Sequence, residues 1–457
     1  MHVLLLLACL QPDDPKDPVE HDETGLDDTA DSVEDYDCSE RSVLRETLEV
    51  HSVEDAAAFC EQYNAIEGDL YATVPLPCLC DVQGVVYARE ETRLPALVSV
   101  RNALNILDSD ATDLTGFRSL ETVGTVLVVS DCGNLVSLDG LQNLSSVGQI
   151  EVMSNASLQS LEGLSPLAMV GAELTVGYNA SLESLEGLEE VTQARGLLFW
   201  GNSALRSIRA LSNLETVDDF MLTGSPKLES LDGLQSLKST QWLQLGQNAL
   251  LTDLTALDHP ISIRWLLLHD NRKLTSLVGL GQVSDLNMVR LEGNALTSMA
   301  PLGGWTTFED IYLAESSLSD LSPLSLLTTV QTLSLDDVSP ELLEDLAALR
   351  RVENTLTLTG KMSSLTPLGS LKVARHLVIE DTPLTTLDGL QNVRNMRSIS
   401  VTDNDDLLDV MALATVKTVY GDVRIGNNPS LGDENAWALV DAIGTENIAG
   451  AITIYDN

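Results

Sequence analysis

The sequence predicts a repeat solenoid in which each leucine-rich repeat opens with a short β-strand. Three observations predict it. An anchor leucine returns in steps of 22 to 24 residues, a pair of apolar residues separated by one position opens a short strand in each repeat, and an asparagine often follows that pair. A fixed period of this length indicates repeats that bury their apolar faces only against their neighbours.

The anchor leucines are the most regular feature of the chain. They lie at Leu141, Leu164, Leu188, Leu211, Leu234, Leu257, Leu280, Leu302, Leu324, Leu346, Leu368, Leu390 and Leu413. The apolar pairs include Ile150/Val152, Leu174/Val176, Leu243/Leu245, Leu266/Leu268, Leu333/Leu335 and Val423/Ile425. Because successive side chains of a strand alternate between its faces, we expect the pairs to point inward and their neighbours outward.

Asparagines follow the strands where the chain must turn. They are Asn155, Asn179, Asn202, Asn248, Asn271, Asn294, Asn404 and Asn427, whereas Ser316, Val338, Gly360 and Thr382 hold the equivalent positions of four other repeats. Stacked amides can satisfy backbone groups in a buried turn, so these asparagines are predicted to be structural. The four exceptions leave the continuity of the ladder open in that section.

The composition is strongly acidic, with 69 Asp and Glu against 25 Lys and Arg and a net charge of -44. Such a charge repels a phosphate backbone and an anionic membrane surface, which argues against nucleic-acid partners. The acidic surface is interpreted either as solubilising or as attracting cations. No segment carries the glycine and terminal glutamate of a calcium loop.

The N-terminus begins with an apolar run from Val3 to Ala8 that ends at Cys9. This segment resembles a bacterial lipoprotein signal, although no Lys or Arg precedes the run. The resemblance implies lipidation of Cys9 and a protein exported to the bacterial outer membrane or cell surface, with secretion as the alternative. Membrane contact is then expected only through the lipid anchor.

The next segment, residues 10–53, is predicted to be an acidic disordered stalk. Residues 11–40 hold thirteen Asp or Glu against Lys16 alone, with three prolines. Self-repulsion favours an extended chain that would hold a folded head away from a membrane. A simple acidic tail is the alternative.

Six cysteines are present. Cys38, Cys60, Cys78 and Cys80 cluster near the start of the repeats and are disulfide candidates, because export favours disulfides, while their connectivity stays open. Cys132 stands apart, so one thiol is left over. Cys78 and Cys80 are too close together to form a zinc site without a second ligand pair, and no metal site is predicted.

The repeat pattern LxSLxGLxxLxxVGxxLxVxxN resembles the receptor L-domain class of leucine-rich solenoids over residues 54–457. Between Asn294 and Leu390 the step shortens to 22 residues with SPL or TPL motifs, and this section is similar to bacterial internalin repeats. The resemblance implies a right-handed, parallel β-solenoid with one continuous sheet and with short turns or helices on its convex side. The predicted segments are 1–9 (signal), 10–53 (stalk), 54–116 (N-terminal cap and first turns), 117–430 (repeats) and 431–457 (C-terminal cap), with a helix around Trp437 and a last strand from Ile452 to Tyr455.

The outward strand positions are predicted to form columns, because a residue of one repeat contacts its equivalent in the next. Ten members of these columns, with neighbours such as Leu198, Asp219 and Asp310, form the candidate ligand-binding surface: Trp200, Met221, Trp242, Gln244, Trp265, Leu267, His269, Met288, Arg290 and Tyr312. Exposed clustered aromatics usually mark an interaction surface. The alternative is a register shifted by one residue, which would turn the set inward.

Motifs of catalysis are missing from the sequence. There is no GxSxG elbow, no HExxH and no phosphate loop, and the histidines lack a neighbouring nucleophile. We therefore expect no enzyme and no cofactor. The predicted function is recognition or adhesion at a cell surface, by binding a protein or a carbohydrate through the sheet face. The alternative is a structural envelope or matrix spacer without a discrete ligand.

Overall fold

The computed structural model describes Tyr36 and residues 38–165, 167, 169–314 and 317–457. Cys9, the signal-like segment and most of the predicted stalk lie outside the described residues. The strands are β1 Val43–Leu44, β2 Leu48–Val50, β3 Ala65–Ile66, β4 Leu70–Ala72, β5 Asp81–Val82, β6 Val86–Glu90, β7 Ser99–Val100, β8 Leu104–Ser109, β9 Thr122–Ser130, β10 Ser146–Met153, β11 Met169–Gly177, β12 Gln193–Trp200 and β13 Thr216–Thr223. They continue with β14 Ser239–Gly246, β15 Ile261–His269, β16 Val283–Ser284, β17 Met288–Glu292, β18 Thr307–Ala314, β19 Thr329–Asp336, β20 Arg351–Thr359, β21 Val373–Glu380, β22 Asn395–Met396, β23 Ser398–Thr402, β24 Thr418–Val419, β25 Val423–Gly426 and β26 Ile452–Tyr455.

The strands pair in parallel, one repeat against the next, and 24 of those described form a single sheet. Residues one repeat apart are partners, as Trp242 is of Trp265. Each of the thirteen anchor leucines is at most 1% exposed, and the six inward pairs are fully buried. The predicted leucine-rich solenoid is confirmed, because no repeat could bury these side chains without the repeats on either side of it.

The first repeats are built differently from the later ones. Up to β8 each repeat holds two short strands, and the two series, β1-β3-β5-β7 and β2-β4-β6-β8, both pair with the nine-residue strand β9. The sheet begins at Val43, ten residues before the end of the segment predicted as stalk. Strands β1 and β2 within it pair with β3 and β4, and the Cys38–Cys80 disulfide also joins this part of the chain to the repeats.

The asparagine ladder satisfies the backbone behind the strands. Asn179 is fully buried, its amide nitrogen donates to the carbonyl oxygen of Val152, and its amide oxygen accepts from the N–H of Asn155. Asn155 makes the same contacts one repeat earlier, with Val129 and with the N–H of Cys132. Each amide thus connects its own turn to the previous repeat, as the structural interpretation predicts.

The structure corrects the ladder at two places. Asn428, not Asn427, is the ladder residue: Asn428 is fully buried and accepts from the N–H of Asn404, whereas Asn427 is exposed with φ 54°. Gly360, with φ 78°, likewise occupies the residue before the ladder position. The sequence could not resolve the offset at Asn427, because Asn427 and Asn428 are adjacent and both fit the repeat spacing.

In the shorter repeats the ladder changes chemistry. Thr382 rejoins it, since both its N–H and its hydroxyl donate to the amide oxygen of Asn404. Val338 is buried and has no polar side-chain atom to continue it. Ser316 lies outside the described residues.

One α-helix lies near each end of the described repeats. Helix α1 is Val53–Cys60 and α2 is Asp433–Ile443; short 3-10 segments lie at Thr115–Phe117, Arg209–Asn213, Thr255–Leu257, Ala300–Leu302, Ser322–Leu324, Pro340–Leu346, Thr366–Ser370, Met411–Thr415 and Thr445–Asn447. The Ser52 hydroxyl accepts from the N–H of Asp55 and so caps α1. Helix α2 and β26 occupy their predicted positions. Among the described residues no helix is both long and apolar enough to cross a bilayer.

Candidate binding face

The outward positions of β12 to β18 form the predicted columns. The first column runs Asp219, Trp242, Trp265, Met288, Asp310, the middle column runs Leu198, Met221, Gln244, Leu267, Arg290, Tyr312, and the third includes Trp200, Thr223, Gly246, His269 and Glu292. The intervening Leu243 and Leu245 are fully buried, while Trp242 and Gln244 are half-buried. A register shifted by one residue is therefore excluded, and all ten candidate side chains share one face. Whether they bind a ligand stays a prediction.

Two tryptophans form the centre of this face. The rings of Trp242 and Trp265 lie 5.6 Å apart at 72° to one another, an edge-to-face arrangement that aromatic pairs favour. The guanidinium of Arg264 lies 5.1 Å from the centre of the Trp265 ring. Arg264 thus forms a cation–π contact with Trp265 within the protein.

A chain of polar contacts orients the side chains beside the tryptophans. Trp242 Nε1 donates to Gln244 Oε1 at 3.3 Å, and Gln244 Nε2 lies 3.2 Å from His269 Nε2. Because the glutamine nitrogen donates, His269 Nε2 accepts, and the ring proton lies on Nδ1. Nδ1 is 3.3 Å from Asp270 Oδ2. One ring nitrogen of His269 thus contacts an amide and the other a carboxylate, rather than a hydroxyl or thiol nucleophile.

Glycines on neighbouring strands leave room for two of the rings. A Cβ on Gly246 would lie 2.0 Å from His269 Nε2, and one on Gly177 would lie 2.0 Å from Trp200 Nε1. Trp200 Nε1 is buried and has no hydrogen-bond partner. Packing alone therefore holds the Trp200 ring, whereas hydrogen bonds hold Trp242 and His269.

At the C-terminal end of the face the residues are polar and paired. The guanidinium of Arg290 forms two hydrogen bonds with the same oxygen, Glu292 Oε2, at 2.7 and 3.0 Å. Burial raises the pKa of the Tyr312 hydroxyl, and the charge of Asp310 adds to the rise, while a hydrogen bond with Thr332 and the charge of Arg290 oppose it. Met288 and Leu267 lie between this end and the tryptophans.

At the other end of the face lie three carboxylates, of which the sequence analysis named only Asp219. Glu151 occupies the middle column on β10, and Glu173 lies on β11 in the column that continues through Gly196 to Asp219. Extending each column by two further repeats toward the N-terminus, from Asp219 through Gly196 and from Leu198 through Thr175, would have found them.

A separate hollow lies on the outward face of the first repeats. His51, Tyr71, Ala72, Thr73, Tyr87 and Arg89 line about 360 Å³. The rings of Tyr71 and Tyr87 stack 4.7 Å apart and nearly parallel. The sequence analysis missed this pair because Tyr71 and Tyr87 are 16 residues apart, outside the 22-to-24-residue period.

The four candidate cysteines pair as Cys38–Cys80 and Cys60–Cys78. Cys132 is free and fully buried, and burial raises the pKa of its thiol. Within the described ranges no group of three or more His, Cys, Asp or Glu side chains is placed to hold a metal ion.

Comparisons with known proteins give distant structural likenesses only. No protein-family model matches the sequence. No curated protein matches it. Among similar solved structures, an internalin, InlF of Listeria monocytogenes, is 18% identical with a TM-score of 0.38, covering 72% of this chain and 82% of its own. The mouse RP105/MD-1 complex is 15% identical with a TM-score of 0.43, covering 89% and 79%.

The Drosophila Toll–Spätzle complex is 14% identical with a TM-score of 0.39, covering 84% of this chain and 61% of that one. The chain therefore spans less than two thirds of the Toll structure. The assignment of a leucine-rich solenoid rests on the strand register and the buried leucines of this chain.

Proposed function

We propose that the protein is a non-enzymatic recognition or adhesion protein that binds a protein or glycan partner through the outward face of β12 to β18. The observation that carries the proposal is the convergence of Trp200, Trp242 and Trp265 on one face of consecutive strands. Tryptophan provides a large contact area at a small cost in side-chain entropy, so it is enriched where interfaces gain most of their binding energy.

The surroundings of the rings support a binding role over a merely structural one. Gln244 and His269 fix the Trp242 indole in one orientation before any partner arrives. A preorganised side chain loses less conformational freedom on binding, which strengthens affinity. Rings that served only to cover the sheet would not need an oriented polar network beside them.

The test is a double variant, Trp242→Ala with Trp265→Ala, screened against arrays of peptides and of oligosaccharides beside the unaltered protein. We expect bound probes to lose at least tenfold in affinity, about 1.4 kcal/mol, while circular dichroism stays unchanged. Trp437→Ala is the matched control, because Trp437 is 45% exposed on helix α2, away from the face.

Binding that survives the double variant would show that the face is not the site. No saturable binding to any probe would favour the alternative, a structural spacer.

We also propose that the protein is exported and tethered through lipidated Cys9, and that the acidic segment between Cys9 and Cys38 is the stalk. Two disulfides near the start of the sheet support an oxidising compartment. Intact-mass measurement of the membrane fraction of the native host tests this, with Cys9→Ser as control: an acylated chain that starts at Cys9 is expected, and an unprocessed chain would exclude the tether.

A further inference from the structure

Three carboxylates flank the aromatic face, and none of them forms a salt bridge with a described residue. None of the ion pairs among the described residues involves Glu151, Glu173 or Asp219. The hydrogen-bond donors to Glu151 and Glu173 are neutral, namely the Gln149 amide at 2.8 Å and the Thr175 hydroxyl at 3.0 Å.

The backbone brings two of these carboxylates toward each other. Glu173, Gly196 and Asp219 are successive partners in one column of the sheet. A Cβ on Gly196 would lie 3.0 Å from Glu173 Cγ, so the Glu173 side chain leans over this glycine, in the direction of Asp219. Trp242 follows Asp219 in the same column. The negative group therefore adjoins the aromatic group directly.

The titration of the group agrees with this geometry. Burial raises the pKa of Glu151, and the charge of Glu173 raises it further. Burial also raises the pKa of Asp219, Asp218 and Glu173 add to the rise, and Arg195 opposes it. Like charges that are partly removed from water destabilise one another, and a cation placed among them would remove that cost.

We propose that the partner is a protein that presents a segment in which Lys or Arg side chains alternate with apolar ones. Its cationic groups would lie over Glu151, Glu173 and Asp219, and its apolar side chains on Leu198, Met221 and Trp242. This inference rests on the proposed function and specifies the partner of the same face.

Charge complementarity is the reason to prefer such a segment to a glycan. A neutral sugar would stack on the rings but leave the carboxylates uncompensated, and an acidic glycan would be repelled. A Lys or Arg side chain can be attracted both by the carboxylates and by the tryptophan rings. The contact of Arg264 with the Trp265 ring is an example of the second attraction within the protein.

The experiment must separate this face from the overall negative charge of -44, which attracts any cation. The probe is a short synthetic peptide in which Lys and Leu residues alternate and are spaced by Gly and Ser. Two control peptides replace every Lys with Gln or every Leu with Ser. The test variant is Glu151→Gln/Glu173→Gln/Asp219→Asn. The matched control is Glu162→Gln/Glu186→Gln/Asp258→Asn, which removes the same charge from exposed turns outside the strands.

We expect calorimetry to show at least a tenfold weaker Kd for the Lys–Leu peptide with the test variant, and less than about a twofold change with the control. The Gln and Ser peptides should bind at least tenfold more weakly to the unaltered protein, and added salt should weaken the Lys–Leu complex. Thermal unfolding verifies that both variants are folded.

Equal weakening by test and control variants would overturn the inference, because the overall field rather than the face would then attract the peptide. Failure of the Lys–Leu peptide to bind would also overturn it. Binding of a neutral oligosaccharide that depends on Trp242 and Trp265 but not on the three carboxylates would overturn it while leaving the proposed function intact. Binding of every ligand that is unchanged by Trp242→Ala with Trp265→Ala would contradict both this inference and the proposed function.

Discussion

Asn248→Ala tests whether the buried asparagines hold the repeats together. Asn248 is fully buried between two repeats. Its amide oxygen accepts from the N–H of Ser225 at 3.1 Å, and its amide nitrogen donates to the carbonyl oxygen of Leu222 at 2.9 Å. Alanine offers neither group, so one backbone donor and one backbone acceptor lose their partners in the interior.

The expected loss follows from these two groups. A buried backbone group left without a hydrogen bond costs about 1–3 kcal/mol, so the variant should lose about 4 kcal/mol of unfolding free energy. Asn392→Ala is the matched control. The Asn392 amide donates to the carbonyl oxygen of Gly369 at 2.7 Å, but this bond is exposed. Water can replace it, and the expected loss is about 0.5 kcal/mol.

The assay is urea unfolding followed by circular dichroism, together with hydrogen exchange of the Ser225 amide. Exchange is needed because repeats can open locally without global unfolding. We expect faster exchange at Ser225 in the Asn248 variant and unchanged exchange in the control. Losses that agree within about 1 kcal/mol for the two variants would refute the structural interpretation of the ladder.

Two further predictions concern a turn and a carboxylate. Gly163→Ala places a Cβ 2.1 Å from the carbonyl oxygen of Leu138, at a residue with φ 107°. The free energy of unfolding, measured in urea, should therefore fall by about 3 kcal/mol. Gly133→Ala is the control, because a Cβ there meets nothing within 4 Å, and equal effects of the two variants would contradict the reasoning. Glu151→Gln should stabilise the protein by about 0.5 kcal/mol at pH 7, because Glu151 is half-buried beside Glu173. The raised pKa means that the folded state holds this proton more tightly than the unfolded state, so the wild type loses stability as pH rises from the unfolded to the folded pKa. Below the unfolded pKa the two proteins should be equally stable, and a gap that persists there would exclude this cause.

The sequence alone was enough to predict the regular part of the molecule. The anchor leucines, the inward pairs and the columns through Trp242 and Trp265 all follow from one number, the 22-to-24-residue step, combined with the alternation of a strand. In a solenoid the nearest neighbour in space is the equivalent residue one repeat away. A periodic sequence therefore predicts its own contacts.

The same reasoning failed where the period breaks. Tyr71 and Tyr87 stack although they are 16 residues apart, and the sheet starts at Val43, where strands of two or three residues are too short to show the repeat pattern. At the ladder, the spacing fits Asn427 and Asn428 equally well. What distinguishes them is burial, because only the buried Asn428 bridges two turns.

By itself, then, the sequence determined the leucine-rich solenoid, the repeat spacing and the side chains that share the outward face, because periodicity sets which residues are neighbours. Only the tertiary structure decided how those side chains use the face. Glu173 leans over Gly196, the Trp200 ring packs against Gly177, and Cys38 pairs with Cys80. Each of these contacts depends on the free space beside a side chain or on the path of the chain between repeats. The spacing of residues along the sequence determines neither the free space nor the path.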